Sequence, residues 1–337
     1  MTSRERVKTI FAGAAPDRCA FWLGMPHSDT WPIYLKHFGF STEEDLRLYL
    51  QDDFRWICAE FGSYRHPEGT ALFNAVRTGI SEGAVPAFAD CEDPGEVDAW
   101  DGWPSVDCLD FTDVLDQLRS AGEVYRASGM WSCFFHIVAD FFGMENYFIK
   151  MYTHPEVVDA VTRQICEFYL EANRRFFELA GDEMDAFFFG NDLGTQLDLM
   201  VGPDQIERFV MPYTRKLIDQ GHAYGYQVMH HCCGSIHRMI EKFIEAGVDA
   251  LHPLQARACG MDAETLARRF AGRIAFVGGI DTQELLVHGT PDDVRADVRR
   301  VKSLLGPNLI VSPSHEALLP NVPPENVLAM AEAARES

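Results

Sequence analysis

The chain has no long hydrophobic run: no window comes near the ~18 uninterrupted apolar residues of a membrane span. It has no basic patch either. With 29 Lys and Arg against 51 Asp and Glu the net charge is −22, and because nucleic acids and anionic membranes are gripped by clustered cations, neither is an expected partner. The start, Met1-Thr2-Ser3-Arg4-Glu5-Arg6-Val7, is charged and helix-like and lacks the apolar core of a signal peptide. A cytoplasmic protein is therefore expected. No internal repeat and no low-complexity linker interrupts the chain. The nine cysteines are odd in number and come without secretory features, which argues against a disulfide framework and for reduced thiols free to bind metal.

What is present is an ordinary globular composition, 47% apolar and 24% charged, in 337 residues, enough for a large buried core. Short β-rich runs alternate with longer amphipathic stretches. The runs are Cys19–Leu23, Phe54–Cys58, Cys133–Ile137, Ala186–Gly190, Gln227–His231, Ala250–Leu254, Ile274–Val277 and Leu309–Val311. Helices are expected over Pro155–Leu179, Pro203–Tyr224, Ile236–Ala246, Ala263–Phe270, Pro291–Leu305 and Pro323–Ala334. Eight strand and helix alternations close most naturally into a parallel (β/α)8 TIM barrel, here one domain over residues 1–337. An N-terminal extension precedes it. Segment 60–130, punctuated by Asp93-Pro94-Gly95 and Trp103-Pro104, reads as insertions over the barrel mouth.

The sharpest local feature is His230-His231-Cys232-Cys233-Gly234 at the end of one run. Alternate strand residues share a face, so His231 and Cys233 point at one centre while His230 and Cys232 point away. Such an H-x-C pair is either half of a zinc site, completed from elsewhere in the fold, or a buried strand tip in which Cys packs as a small hydrophobe. In a barrel, the active site lies at the strand C-termini. Those ends carry Trp22; His136; Asp192 and Gln196; His231 and Cys233; His252 and Gln255; Asp281 and Gln283; and His315. They form a substrate pocket or a network of satisfied buried polar groups. His315, after the last run, is the preferred third metal ligand although it lies three strand positions from His231; its other reading is a substrate-binding histidine. Asp192 orients a ligand or contacts substrate, or it caps a helix with Thr195. The aromatics Trp22, Trp31, Phe134 and Phe135 enclose a ligand or simply pack the core.

Gly190-Asn191-Asp192-Leu193-Gly194-Thr195-Gln196, His231-x-Cys233-Gly234-Ser235-Ile236, Gly247-Val248-Asp249-Ala250-Leu251-x-Pro253-Leu254-Gln255, Gly278-Gly279-Ile280-Asp281-Thr282-Gln283 and Pro313-Ser314-His315 together resemble the uroporphyrinogen decarboxylase superfamily. The resemblance implies the same barrel and one of two chemistries. Decarboxylases of that superfamily hold their substrate's carboxylates with an arginine-rich N-terminal loop. The corresponding stretch here, Phe21–Asp29, has no arginine, which favours neutral or cationic methylated molecules over polycarboxylates. His315 stands where those decarboxylases keep a histidine.

The other branch holds zinc methyltransferases, with an H-x-C signature and a distant Cys, that pass methyl groups between a corrinoid and a thiol or methylated compound. His231 and Cys233 match this signature, and His315 replaces the distant Cys. The resemblance thus implies a methyltransferase-like enzyme with zinc on His231, Cys233 and His315, and with His315 and Asp192 catalytic. Trp22, His136, Gln196, His252, Gln255, Asp281 and Gln283 would line its substrate pocket. No D-x-H-x-x-G corrinoid motif is present, so a corrinoid would arrive on a partner protein or free. A decarboxylase and a non-catalytic small-molecule-binding barrel are the alternatives.

Overall fold

In the computed structural model, which describes residues 1–60, 62–74 and 85–336, eight parallel strands form one sheet that curls into a (β/α)8 barrel. They are β1 Ala20–Phe21, β2 Phe54–Trp56, β3 Tyr125–Ser128, β4 Ala186–Gly190, β5 Gln227–His231, β6 Ala250–His252, β7 Ala275–Ile280 and β8 Leu309–Pro313. Ladder hydrogen bonds run β1-β8-β7-β6-β5-β4-β3-β2. Between β1 and β2 no ladder pair forms, and Asp53 bridges the seam instead. Its N–H donates to the Phe21 carbonyl and its carboxylate accepts from the Phe21 N–H, at 2.9 and 3.0 Å.

The period of two along each strand builds two cores. Ala20, Phe54, Tyr125, Phe188, Met229, Ala250, Val277 and Ile310 fill the barrel interior. Phe21, Phe187, Phe189, Val228, Leu251, Phe276 and Val311 face outward against the helices. β4, read Ala-Phe-Phe-Phe-Gly, is buried on both faces, as a parallel strand sheathed by helices must be.

Seven of the eight expected runs carry barrel strands; the third does not. Cys133–Ile137 enters a helix, Phe134–Phe142, and the real third strand is Tyr125–Ser128. A short run of Phe and Ile is ambiguous in type, and here the helix wins because its apolar stripe packs onto Pro155–Ala180. Segment 60–130 is therefore not wholly insertion, since it ends in Thr112–Ser120 and β3. Phe61 and residues 75–84 of that segment lie outside the described residues. The helix expected over Pro203–Tyr224 is two, Pro203–Phe209 and Met211–Ala223, because Pro212 cannot donate to the continuing ladder. Ala263–Phe270 and Pro291–Leu305 form as expected. Among the described residues no helix is long and apolar enough to cross a membrane.

Candidate metal and substrate site at the barrel mouth

The alternation of β5 decides where the tandem histidines go. Met229 belongs to the interior, so His231 two residues on points inward, and His230 points out between Phe189 and Phe243. Burial pushes the His230 imidazole down to about 3, so it packs as a neutral ring. Past the strand end Cys233 returns to the His231 side, and its Sγ lies 3.3 Å from His231 Nε2.

Two glycines let the neighbouring loop approach. A Cβ on Gly190 would meet the His231 carbonyl oxygen at 2.1 Å. One on Gly234, held at φ +88°, would meet the Gly194 backbone at 2.3 Å. The loop after β4 therefore lies flat on the loop after β5, which sets Asp192 Oδ1 3.1 Å from His231 Nε2 and 2.9 Å from the Cys233 N–H that donates to it. Asp192 is no helix cap; Thr195 Oγ1 instead accepts from the N–H groups of Leu197 and Asp198 within its own loop.

The donor atoms of Asp192, His231 and Cys233 all lie within 4.8 Å of one another. Neighbouring ligand atoms around tetrahedral zinc stand roughly 3.3–3.7 Å apart, given bonds of about 2.0–2.3 Å. The 3.3 Å between Cys233 Sγ and His231 Nε2 lies at the edge of that range, and the 3.1 Å between Asp192 Oδ1 and His231 Nε2 falls just short of it. Without a metal the three groups balance one another electrostatically. Burial works against a charged His231, but Cys233, Glu316 and the hydrogen bond to Asp192 raise its pKa well above the ordinary histidine value. Burial also works against an ionised Asp192, yet His231 and the Cys233 N–H hold its carboxyl well below the usual carboxylate range. Without an ion, the positive charge these groups favour is carried by the His231 ring itself.

His231 faces a second group with its other nitrogen. Nδ1 lies 3.0 Å from His252 Nδ1 and 3.9 Å from Glu316 Oε2, and these three also form a potential donor set. His252 is fully buried against Trp22 and Phe188, with ring centroids 5.0 and 5.5 Å away, and its Nε2 has no hydrogen-bond partner among the described residues. Trp22 is an interior core residue whose Nε1 is likewise unpartnered, and it does not line the adjoining cavity. Trp131 stacks edge-on to His231 at 5.2 Å and Trp56 stands 4.8 Å from Trp131, which makes one wall of the mouth aromatic.

The remaining expected residues divide by position. His136 reaches the mouth from a helix rather than a strand, its Nε2 3.9 Å from Asp192 Oδ2. Gln196, Gln255, Asp281, Gln283 and His315 line one cavity of about 430 Å³ beside the donor group. Gln255 joins the two, since its Oε1 accepts from the Gly234 N–H at 2.8 Å. His315 is in neither donor group among the described residues. Its Nδ1 accepts from the Ala317 N–H at 3.1 Å, a local turn that directs the ring to the cavity, and the acid reaching toward His231 is the next residue, Glu316. Asp192, not His315, stands third beside His231 and Cys233. Glu316, Arg257 and the Trp56 and Trp131 wall were not singled out from sequence; the alternation of β2 would have pointed Trp56 inward, but nothing marks the other three.

Over residues 110–337 the chain matches the family described as Uroporphyrinogen decarboxylase (URO-D). The chain belongs to the uroporphyrinogen decarboxylase family. It is 28% identical over 188 residues to the uroporphyrinogen decarboxylase of Geotalea daltonii and 31% over 194 residues to that of Geobacter metallireducens, each match covering 54% of this chain and 50% of the relative. It is 23% identical over 157 residues to the methylcobamide:CoM methyltransferase MtbA of Methanosarcina mazei, covering 47% of this chain and 43% of the relative. The chain thus spans about half the length of the curated relatives it matches. A methyltransferase structure from Methanosarcina mazei superposes with a TM-score of 0.70 at 14% identity, over 99% of this chain and 98% of that one. That likeness establishes the shared barrel fold.

Proposed function

We propose that this family member is a zinc-dependent methyltransferase-like enzyme that moves a methyl group between a small methylated compound or thiol and a corrinoid. The corrinoid would come on a partner protein or free. The observation that carries the reading is the convergence of Asp192, His231 and Cys233, with donor atoms within 4.8 Å of one another, on the inner side of the mouth. These residues would hold zinc, which when bound lowers the pKa of a thiol or polarises a leaving oxygen or nitrogen.

The chain's own residues set up that chemistry. With Nε2 of His231 given to metal, its Nδ1 carries the proton and donates to His252 Nδ1, so His252 fixes the tautomer and the ring plane. Asp192 is steadied by the Cys233 N–H. Glu316 places a carboxylate 3.9 Å from the His231 ring and 3.6 Å from the His315 ring, and the aromatic wall limits water on the β2–β3 side. The cavity lined by Gln196, Gln255, Asp281, Gln283 and His315 would receive the small substrate.

Elemental analysis of protein purified without added metal tests the proposal directly. About one zinc per chain is the expected result, and metal-free protein at neutral pH would overturn it. The decarboxylase reading is supported by the names of several relatives and by His315 in the cavity wall. Release of carbon dioxide from a tightly bound tetrapyrrole carboxylate would favour it over methyl transfer.

A further inference from the structure

The cavity at the ends of β6–β8 has one cation among its lining residues, Arg257. Elsewhere in this acidic chain guanidinium groups are largely spent on hydrogen bonds: Arg47 to Asp52 and the Gly24 carbonyl, Arg55 to Glu44, Arg300 to Asp297 and Glu264. Arg257 differs. It makes no hydrogen bond among the described residues, its side chain is 54% exposed, and its nearest counter-charge, Asp281 Oδ2, stays 3.7 Å away.

Asp281 does not close that gap because its oxygens are committed elsewhere. They accept from the N–H groups of Gln283, Glu284 and Leu285 at 2.9, 3.3 and 3.2 Å, at the start of the short helix Leu285–His288. A carboxylate held by three backbone donors leaves the guanidinium fork open toward the cavity. The other walls are neutral and have unspent hydrogen-bonding capacity. Gln283 and Asn321 make no side-chain hydrogen bond among the described residues, and the Gln196 amide donates to Gln255 with its own oxygen unused.

We propose that this cavity binds a small molecule with a single carboxylate, held by Arg257 as a forked pair, with amide side chains reading the rest of it. The proposal deepens the methyl-transfer reading and rests on it only for what the ligand does once bound. One guanidinium matches one carboxylate and cannot neutralise a polycarboxylate. It also replaces the neutral or cationic ligand expected from the arginine-free stretch Phe21–Asp29, because the cation comes from the loop after β6 instead.

The probes are methoxyacetate and its neutral isostere methoxyacetamide, titrated by ligand-observed NMR into the full chain as wild type, R257Q and R257K, with zinc content measured on each sample. Wild type is expected to bind the carboxylate at least about tenfold more tightly than the amide, the order of a charge-assisted pair. R257Q should lose that preference while amide binding and zinc content stay as in wild type, and R257K should keep part of it. Equal affinity of wild type for the two probes overturns the proposal, as does an undiminished preference in R257Q. A wild type that prefers the carboxylate but holds no zinc supports this site and overturns the zinc reading, so the two failures are told apart.

Discussion

The two ends of the barrel handle charge in opposite ways. At the floor, beneath the N-terminal ends of the strands, Asp53, Asp185 and Asp249 each accept a hydrogen bond from the backbone of the preceding strand: Phe21, Arg126 and Val228 N–H respectively. Each also faces a basic side chain. Arg6 and Arg18 lie 2.7 and 2.8 Å from Asp53, Arg4 and Lys8 lie 2.6 and 2.7 Å from Asp185, and His222 lies 2.9 Å from Asp249. At the mouth the polar atoms are left open. Among the described residues His252 Nε2, Trp22 Nε1 and Glu316 Oε2 are buried without a hydrogen-bond partner, and Arg257 stands off from Asp281. Burying polar atoms unpaired is costly, so their gathering at the mouth supports the ligand-binding role proposed for that end; the three floor acids are paired, although Arg126 Nε beside them has no hydrogen-bond partner among the described residues.

The largest effect should come from breaking the floor. Asp53→Ala removes the bridge across the β1–β2 seam and leaves Arg6, 5% exposed, with a charge uncompensated on that side. A loss of about 3–5 kcal/mol in folding free energy by chemical denaturation is expected, the usual cost of removing one partner of a buried pair. The folded fraction should still bind metal normally, and a coupled loss of zinc from it would erase the distinction between the two ends. Acid should attack the floor only at low pH. Arg6 also donates to Asp17, 2.7 Å from its Nε, and these hydrogen bonds hold the Asp17 carboxyl well below the usual range, so its contribution is complete above about pH 4 and fades as pH falls toward the lower folded value.

Next in size is the metal. Cys233→Ala removes a donor without touching the floor, and zinc affinity should drop by roughly a hundredfold or more while stability of the metal-free protein barely changes. Full zinc occupancy in that variant would sink the proposed site. Zinc should also leave wild type on mild acidification, because imidazole and thiol must be deprotonated to bind, at a pH where the floor is still intact. Metal content against pH, followed alongside circular dichroism, separates the two events.

How far these features could be read from sequence follows the physics of each region. β4 to β8 were legible because a fully buried parallel strand is a short apolar run, and the period of two then sent His231 inward and His230 outward without further information. β3 was not. Tyr125–Ser128 carries Arg126, whose long side chain reaches the acids Glu183 and Asp185 at the floor, and so it did not read as apolar. Cys133–Ile137 was the more apolar stretch and took its place. His136 reached the mouth regardless, because the helix Phe134–Phe142 starts directly above that strand end. Glu316 and Arg257 had no local signal: their meaning comes from what stands next to them, His231 for one and the cavity for the other.

A smaller effect is expected for His252, which touches the metal site only through His231. His252→Phe keeps the ring volume against Trp22 and removes the acceptor for the His231 Nδ1 proton. Zinc should bind about 10–100-fold more weakly, the range for partners that orient a ligand, and His252→Gln should restore part of the loss. Unchanged zinc affinity in His252→Phe, measured by competition with a chelator, would mean that the His231 ring is fixed by packing against Trp131 and Phe188 alone.

The smallest expected effect on metal is at His315, and it is the most discriminating. Sequence resemblance puts a ligand here, whereas the loop after β8 turns the ring Nδ1 to the Ala317 N–H and leaves the side chain 41% exposed in the cavity wall. Zinc affinity of His315→Ala should then stay within about threefold of wild type, since only the weak, solvent-screened field of a part-exposed side chain is lost. Binding of the cavity's ligand should weaken instead. If the loop swings to bring the ring onto the metal, His315→Ala will lose affinity by tenfold or more and His315→Cys will retain it through a thiolate. That outcome would move His315 from the open cavity into the metal site and pair the mouth's donors, like the floor's three acids, once its ion is in place.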